Sequence, residues 1–204
     1  MATLPPLCDV LSSSTHLDDA LAKALPLLFE PSPVLFSTLV PQLASCLRSW
    51  SKDDPIASYR DIIRVAIGVM GGWGDELRSQ FITGHPRIGE NKNLSNLSAM
   101  EQGAGVSATS PDVLARLAHL NSCYERRYSG LRYITFVNGR SRAVIAEEME
   151  DVLGIEHSLS PDEPPVDSLK PVDANGAAWR AELDRAIVDI GRIAESRLRS
   201  FGVE

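Results

Sequence analysis

The residues best suited to proton transfer stand in two short stretches, Gly84-His85-Pro86-Arg87-Ile88-Gly89 and Ser98-Ala99-Met100-Glu101-Gln102. A proline fixes its own backbone and biases the residue before it out of helical geometry, so His85 is expected at a rigid corner just beyond a helix end. Histidine exchanges a proton readily near neutral pH, and a carboxylate such as Glu101 could select its tautomer or raise its basicity. A third candidate lies far along the chain. At helical spacing, positions 179, 183, 186, 190, 193 and 197 fall on one narrow arc, which puts the guanidinium of Arg197 on the apolar face of the final helix. There it needs a partner, either an internal carboxylate or the oxygen of an anionic ligand held in its planar fork.

Each feature also has a plainer reading. A loop histidine is commonly a surface or satisfied polar group, Ser98 and Glu101 at i, i+3 form the pattern of an ordinary N-cap box, and Arg197 suits an internal salt bridge. His16, His119 and His157 have no comparable rigid, polar neighbourhood. His85, Glu90 and Glu101 lack the spacing of a zinc site, and the three cysteines, Cys8, Cys46 and Cys123, form no C-x-x-C pair, so no metal is expected. Neither a phosphate-binding glycine loop nor a G-x-S-x-G nucleophile elbow is present.

The elements that must position these groups are mostly helical. Thr15 and Asp18 resemble a capping box ahead of Leu17, Leu21, Leu25 and Leu28, with Pro26 disturbing the later part. Ser32-Pro33 supplies a cap and an N1 proline for a second helix. Ser58 with Asp61 opens a third, apolar almost all round from Ile62 to Met70 and so expected to be central and buried. Asp75 to Ile82 is a short amphipathic helix before Gly84. Ser110-Pro111-Asp112 starts a helix running to about Tyr128, and Gly130 stops it. Leu131 to Val137 is the one β-like run, without an obvious sheet partner. Ser141 caps a further helix that Gly154 closes, residues 155–176 are rich in Pro, Asp and Ser and read as an exposed loop, and the last helix runs from Ala177 to about Phe201. The expected fold is all-α: a single-domain helical bundle over 1–204 with one short extended segment near 131–138.

Composition narrows the partners. With 44% hydrophobic residues in 204, the chain can bury a sizeable core, and its 23% of charged residues excludes the signature of disorder. A net charge of −7 argues against nucleic acid. No apolar run approaches the ~20 residues a bilayer requires. No signal peptide and no terminal peroxisomal tripeptide are visible, so a cytoplasmic location is expected, with free thiols in a reducing compartment and a peroxisomal location left open.

Five ordered blocks resemble the 2-oxo-4-hydroxy-4-carboxy-5-ureidoimidazoline (OHCU) decarboxylase family of urate degradation. They are Phe81-x-x-x-His85-Pro86-Arg87-Ile88-Gly89, Ser98-x-x-Glu101-Gln102, Leu117-x-x-x-Asn121-x-x-Tyr124-Glu125, Tyr133-Ile134-Thr135-Phe136-Val137-Asn138-Gly139-Arg140-Ser141 and Ile193-x-x-x-Arg197-Leu198. The resemblance implies an all-α, usually homodimeric enzyme without metal or organic cofactor, acting on a small ureidoimidazoline. It implies His85, Glu101 and Arg197 as catalytic groups. Pro86, Ser98 and Gln102, with Ile134, Thr135, Phe136, Val137 and Asn138 of the extended segment, are implied substrate contacts. Three departures stand out: Leu97 where the family usually has tryptophan, Tyr128-Ser129-Gly130-Leu131 where Phe-Gly is common, and a longer 155–176 connection.

The implied reaction removes CO₂ from a carbon bearing hydroxyl and carboxylate and gives (S)-allantoin. Two other readings fit the residues: a non-enzymatic helical interaction module, and a cofactor-free isomerase or hydrolase of another ureido compound.

Overall fold

Serine side chains start three of the described helices, because each supplies an acceptor for an N–H group that the first turn leaves unpaired. The computed structural model describes residues 3–51, 53, 55–90 and 109–203. Among them stand eight α-helices and no β-strand: α1 (Leu7–Leu11), α2 (Ala20–Leu28), α3 (Val40–Arg48), α4 (Tyr59–Gly71), α5 (Asp75–Thr83), α6 (Pro111–Arg127), α7 (Arg142–Leu153) and α8 (Ala177–Ser200). The all-α class expected from the sequence is the class that forms. A π-helical turn, Leu35–Leu39, leads into α3, and Ser32 Oγ accepts the Leu35 N–H at its start. Ser58 and Asp61 make the reciprocal capping box of α4. Ser110 and Ser141 cap α6 and α7, and Gly154, at φ 65°, ends α7 in the left-handed region open to glycine.

The start of α2 departs from the sequence reading. Thr15 and Asp18 do not form its cap, and Leu17 is 61% exposed and takes no part in the buried stripe. The residue at the cap position is Asp19, whose carboxylate accepts from the N–H and the hydroxyl of Ser14, while the Ser13 hydroxyl accepts the Leu21 N–H. Two serines reaching across the turn outcompete the nearer pattern.

The chain divides into two compact units, Met1–His85 with Ile187–Glu204 and Pro86–Ala186. In the first, Leu21, Leu25 and Leu28 of α2, Leu43 of α3, Ile62 and Ile63 of α4 and Phe81 of α5 are buried. Gly191 of α8 packs on α4, where a Cβ would lie 3.2 Å from Ile67 Cγ1. In the second, Leu117, Leu120 and Tyr124 of α6 are buried, as are Ile145, Met149 and Leu153 of α7 and Trp179 and Leu183 of α8. No helix among the described residues is long and apolar enough to cross a membrane.

Residues 155–176 are largely exposed, as expected, but they are tied down. Arg116, fully buried on α6, is ion-paired with the buried Glu150 of α7 through Nε at 2.7 Å. Its Nη1 donates to the carbonyls of Ser160, at 2.9 Å, and Glu163. Glu150 accepts the Ser158 N–H, His119 Nε2 donates to the Pro164 carbonyl, and the Val172 N–H donates to Arg127.

Candidate functional site

Helix α5 carries an aromatic anchor one turn before the histidine. The Phe81 ring packs edge-on against Phe29, Trp73 and His85, with centroids 6.4, 5.8 and 5.5 Å away. The chain leaves α5 at Gly84 and turns through His85, whose N–H donates to the Ile82 carbonyl at 3.1 Å. A Cβ on Gly84 would stand 2.6 Å from Ser32 Cβ, so only glycine fits where the corner presses on that segment. The imidazole is buried, with Nδ1 3.4 Å from the Phe81 carbonyl. A carbonyl can only accept, so in this contact the imidazole is the donor, through Nδ1.

Arg197 is buried on α8, on the arc the sequence predicts. Its Nη2 donates to Glu30 Oε1 at 2.5 Å and its Nη1 to the Leu28 carbonyl at 3.4 Å. The stretch 28–32 therefore serves both groups: Leu28 and Glu30 receive the guanidinium, Phe29 meets Phe81, and Ser32 meets Gly84. Within the first unit, the histidine corner and the arginine are built on the same five residues. Sequence reasoning missed Glu30. Its signal was a single charge between Leu28-Phe29 and Pro31-Ser32-Pro33, an acid in a setting too apolar to hold it unpaired.

The second unit begins with Pro86, half-buried, and the loop behind it is gripped by α6. Leu117, Asn121 and Glu125 recur at four-residue steps, so they share one face of the helix. Glu125 takes the Arg87 guanidinium in two bonds of 2.7 and 2.9 Å, Asn121 Nδ2 donates to the Ile88 carbonyl at 2.9 Å, and Gly89, at φ 84°, lies against Leu117. The bond to Glu125 holds Arg87 charged, above its ordinary range, against the opposing effect of burial. Two blocks distant in sequence are thus one contact.

The 131–138 segment forms no strand. Ile134 and Thr135 are buried, Phe136 and Val137 half-buried, and Asn138, exposed, turns the chain at φ 47°. Side chains take the place of a sheet partner: Arg185 Nη1 donates to the Ile134 carbonyl at 2.7 Å, Arg140 Nη2 to the Phe136 carbonyl, and Arg140 Nε to the Val137 carbonyl at 2.9 Å. The backbone N–H groups of 134–137 find no backbone acceptor among the described residues. Burial pushes the neighbouring Tyr133 hydroxyl up to about 12. Ser98, Glu101 and Gln102, with Leu97, lie outside the described residues.

A helical fold that seats an imidazole at a His-Pro corner suits a lyase working through proton transfer, and comparison with known proteins gives that class. The chain is a carboxy-lyase: residues 15–158 match the family model described as OHCU decarboxylase, and the chain belongs to that family. The family takes a small-molecule substrate and supplies decarboxylase activity in urate degradation. Among solved structures, a crystal structure of OHCU decarboxylase in the presence of (S)-allantoin is similar over 79% of this chain and 91% of that one, with 17% identity and a TM-score of 0.50. At that identity the likeness is one of fold. No curated protein matches the chain in sequence. Arg197 falls beyond the matched residues, and His85, Pro86 and 134–138 fall within them.

Proposed function

We propose that this protein converts 2-oxo-4-hydroxy-4-carboxy-5-ureidoimidazoline to (S)-allantoin with CO₂ as the other product. The observation that carries the reading is the buried imidazole at its fixed corner in a chain of this family. Cleavage of the bond to the carboxylate leaves an electron pair on the carbon that bears the hydroxyl. The adjacent imine delocalises that pair, so the substrate is its own electron sink. His85 Nε2 hydrogen-bonds the hydroxyl or carboxylate; as CO₂ leaves, the imine nitrogen takes up a proton, and a proton then reaches one face of the adjacent ureido-bearing carbon while the hydroxyl gives up its own and becomes the ring carbonyl. Arg197 holds an anionic or carbonyl oxygen, oriented by Glu30. Glu101 orients the ureido or hydroxyl group, and Ser98, Gln102, Pro86 and the backbone of Ile134, Thr135, Phe136, Val137 and Asn138 contact the ring.

Spontaneous decay of this substrate gives both hands of allantoin, so the enzyme contributes handedness as well as rate. Mixing the protein with freshly generated urate-oxidation product and following circular dichroism tests the assignment. A signal of the S enantiomer growing faster than the spontaneous reaction is the expected result; a racemate at the spontaneous rate overturns it. The family resemblance also supports a homodimer and a single catalytic domain, which sedimentation and limited proteolysis check.

A further inference from the structure

We propose that Arg185 and Arg140 are positioning residues that hold the 134–137 backbone in register for a ligand, in place of the missing strand partner. Both arginines are themselves locked. Arg185 Nη2 and Nε donate to the Glu182 carboxylate at 2.8 and 3.2 Å, and Glu182 also accepts from the Tyr124 hydroxyl at 2.9 Å. The Arg185 guanidinium lies 4.9 Å over the Tyr133 ring, so its plane is fixed on two sides. Arg140 is ion-paired with Glu148 of α7 and donates to Thr135 Oγ1 at 3.2 Å as well as to the two carbonyls.

Each trans peptide unit is planar, with its N–H pointing opposite to its C=O. Bonding the carbonyls of Ile134 and Phe136 therefore turns the amides of Thr135 and Val137 away from the arginines. A free extended segment rotates about these bonds and pays the ordering entropy each time a ligand binds; the braced one has its donors set beforehand. Arg185 and Glu182 lie outside the residues matched by the family model, and no part of the proposed proton transfer runs through either arginine.

The inference rests on the proposed substrate contacts of 134–138, and its test separates the two. Arg185→Met and Arg140→Met remove the donors while keeping an unbranched apolar stem; both side chains are about one-third exposed, so the fold tolerates them. In the unliganded protein, hydrogen exchange at amides 134–138 should quicken about tenfold or more in each variant, with the unfolding midpoint little changed, since a hydrogen bond to a charged group is worth about that factor. With the urate-oxidation product, KM should rise about tenfold, kcat should fall less, and the pH profile should keep its wild-type midpoints because His85 is untouched. Arg185→Lys, which restores one donor, should recover part of both effects. Unchanged exchange or unchanged KM in Arg185→Met overturns the brace. A wild-type protein that fails to outrun the spontaneous reaction overturns the substrate assignment, and the exchange readout then decides the brace by itself.

Discussion

Among the described residues two arginines are buried, each against a buried glutamate, and they differ in what else they hold. Arg116, with Glu150, binds the carbonyls of Ser160 and Glu163, both beyond the family match, and so fastens the 155–176 loop. Arg197, with Glu30, sits on the stretch that also supports the His85 corner. The pairs look alike by burial and chemistry, yet one fastens a loop and the other shares its supporting stretch with the group proposed to move a proton. A buried ion pair by itself says little about function, because the cost of desolvation forces such partners together wherever an arginine is enclosed. Its neighbours decide.

The widest separation between the two regions should come from His85. His85→Asn keeps the size and the corner and removes the proton carrier; turnover should fall about 10²–10⁴-fold, while the far-ultraviolet spectrum stays native. Near wild-type production of chiral product would take His85 out of its role. Next comes Arg116→Met, which leaves the Glu150 carboxylate buried without its cation and should cost about 3–5 kcal/mol of stability in denaturant titration, with KM unchanged. A variant that lost substrate affinity at full stability would erase the contrast between the two pairs.

Arg197→Lys is the mirror experiment. Lysine keeps a charge for Glu30 but not the planar fork, so the protein should stay folded while KM rises about tenfold; wild-type kinetics would make Arg197 a second purely architectural ion pair. Ser58→Ala, away from both regions, should cost about 1 kcal/mol through loss of the α4 cap and leave KM alone. The smallest effect belongs to His157, fully exposed on the fastened loop. The hydrogen bond that its Nε2 donates to the Asp151 carboxylate raises its pKa above 6.5, so the protonated form is favoured in the fold. The stability it adds is present below 6.5 and is lost as pH rises through the folded value. Nuclear magnetic resonance titration should find the midpoint above 6.5, whereas the melting temperature should not register the pair.

Some of this was legible because it is local. The caps at Ser58, Ser110 and Ser141 bond residues three positions away, so a window of sequence contains the whole interaction. The same kind of window failed at Thr15 and Asp18, because the winning contacts come from Ser13 and Ser14 on the other side of the turn. The spacing of the last helix put Arg197 inside, but nothing near it named Glu30, which lies 167 residues earlier. The β-like run at 131–137 was seen as extended and unpartnered. That arginine side chains would stand in for a strand could not be read, since Arg185 reaches Ile134 from 51 residues on.

The sequence by itself determined which residues can exchange protons, where most helices begin and end, and which faces are apolar, since these follow from side-chain chemistry and from hydrogen bonds a few positions long. Tertiary structure alone decided which carboxylate neutralises each buried arginine, which helix face grips the His-Pro loop, and what braces the unpaired segment. Those choices turn on the desolvation of groups far apart in the chain, and only folding brings such groups within reach of one another.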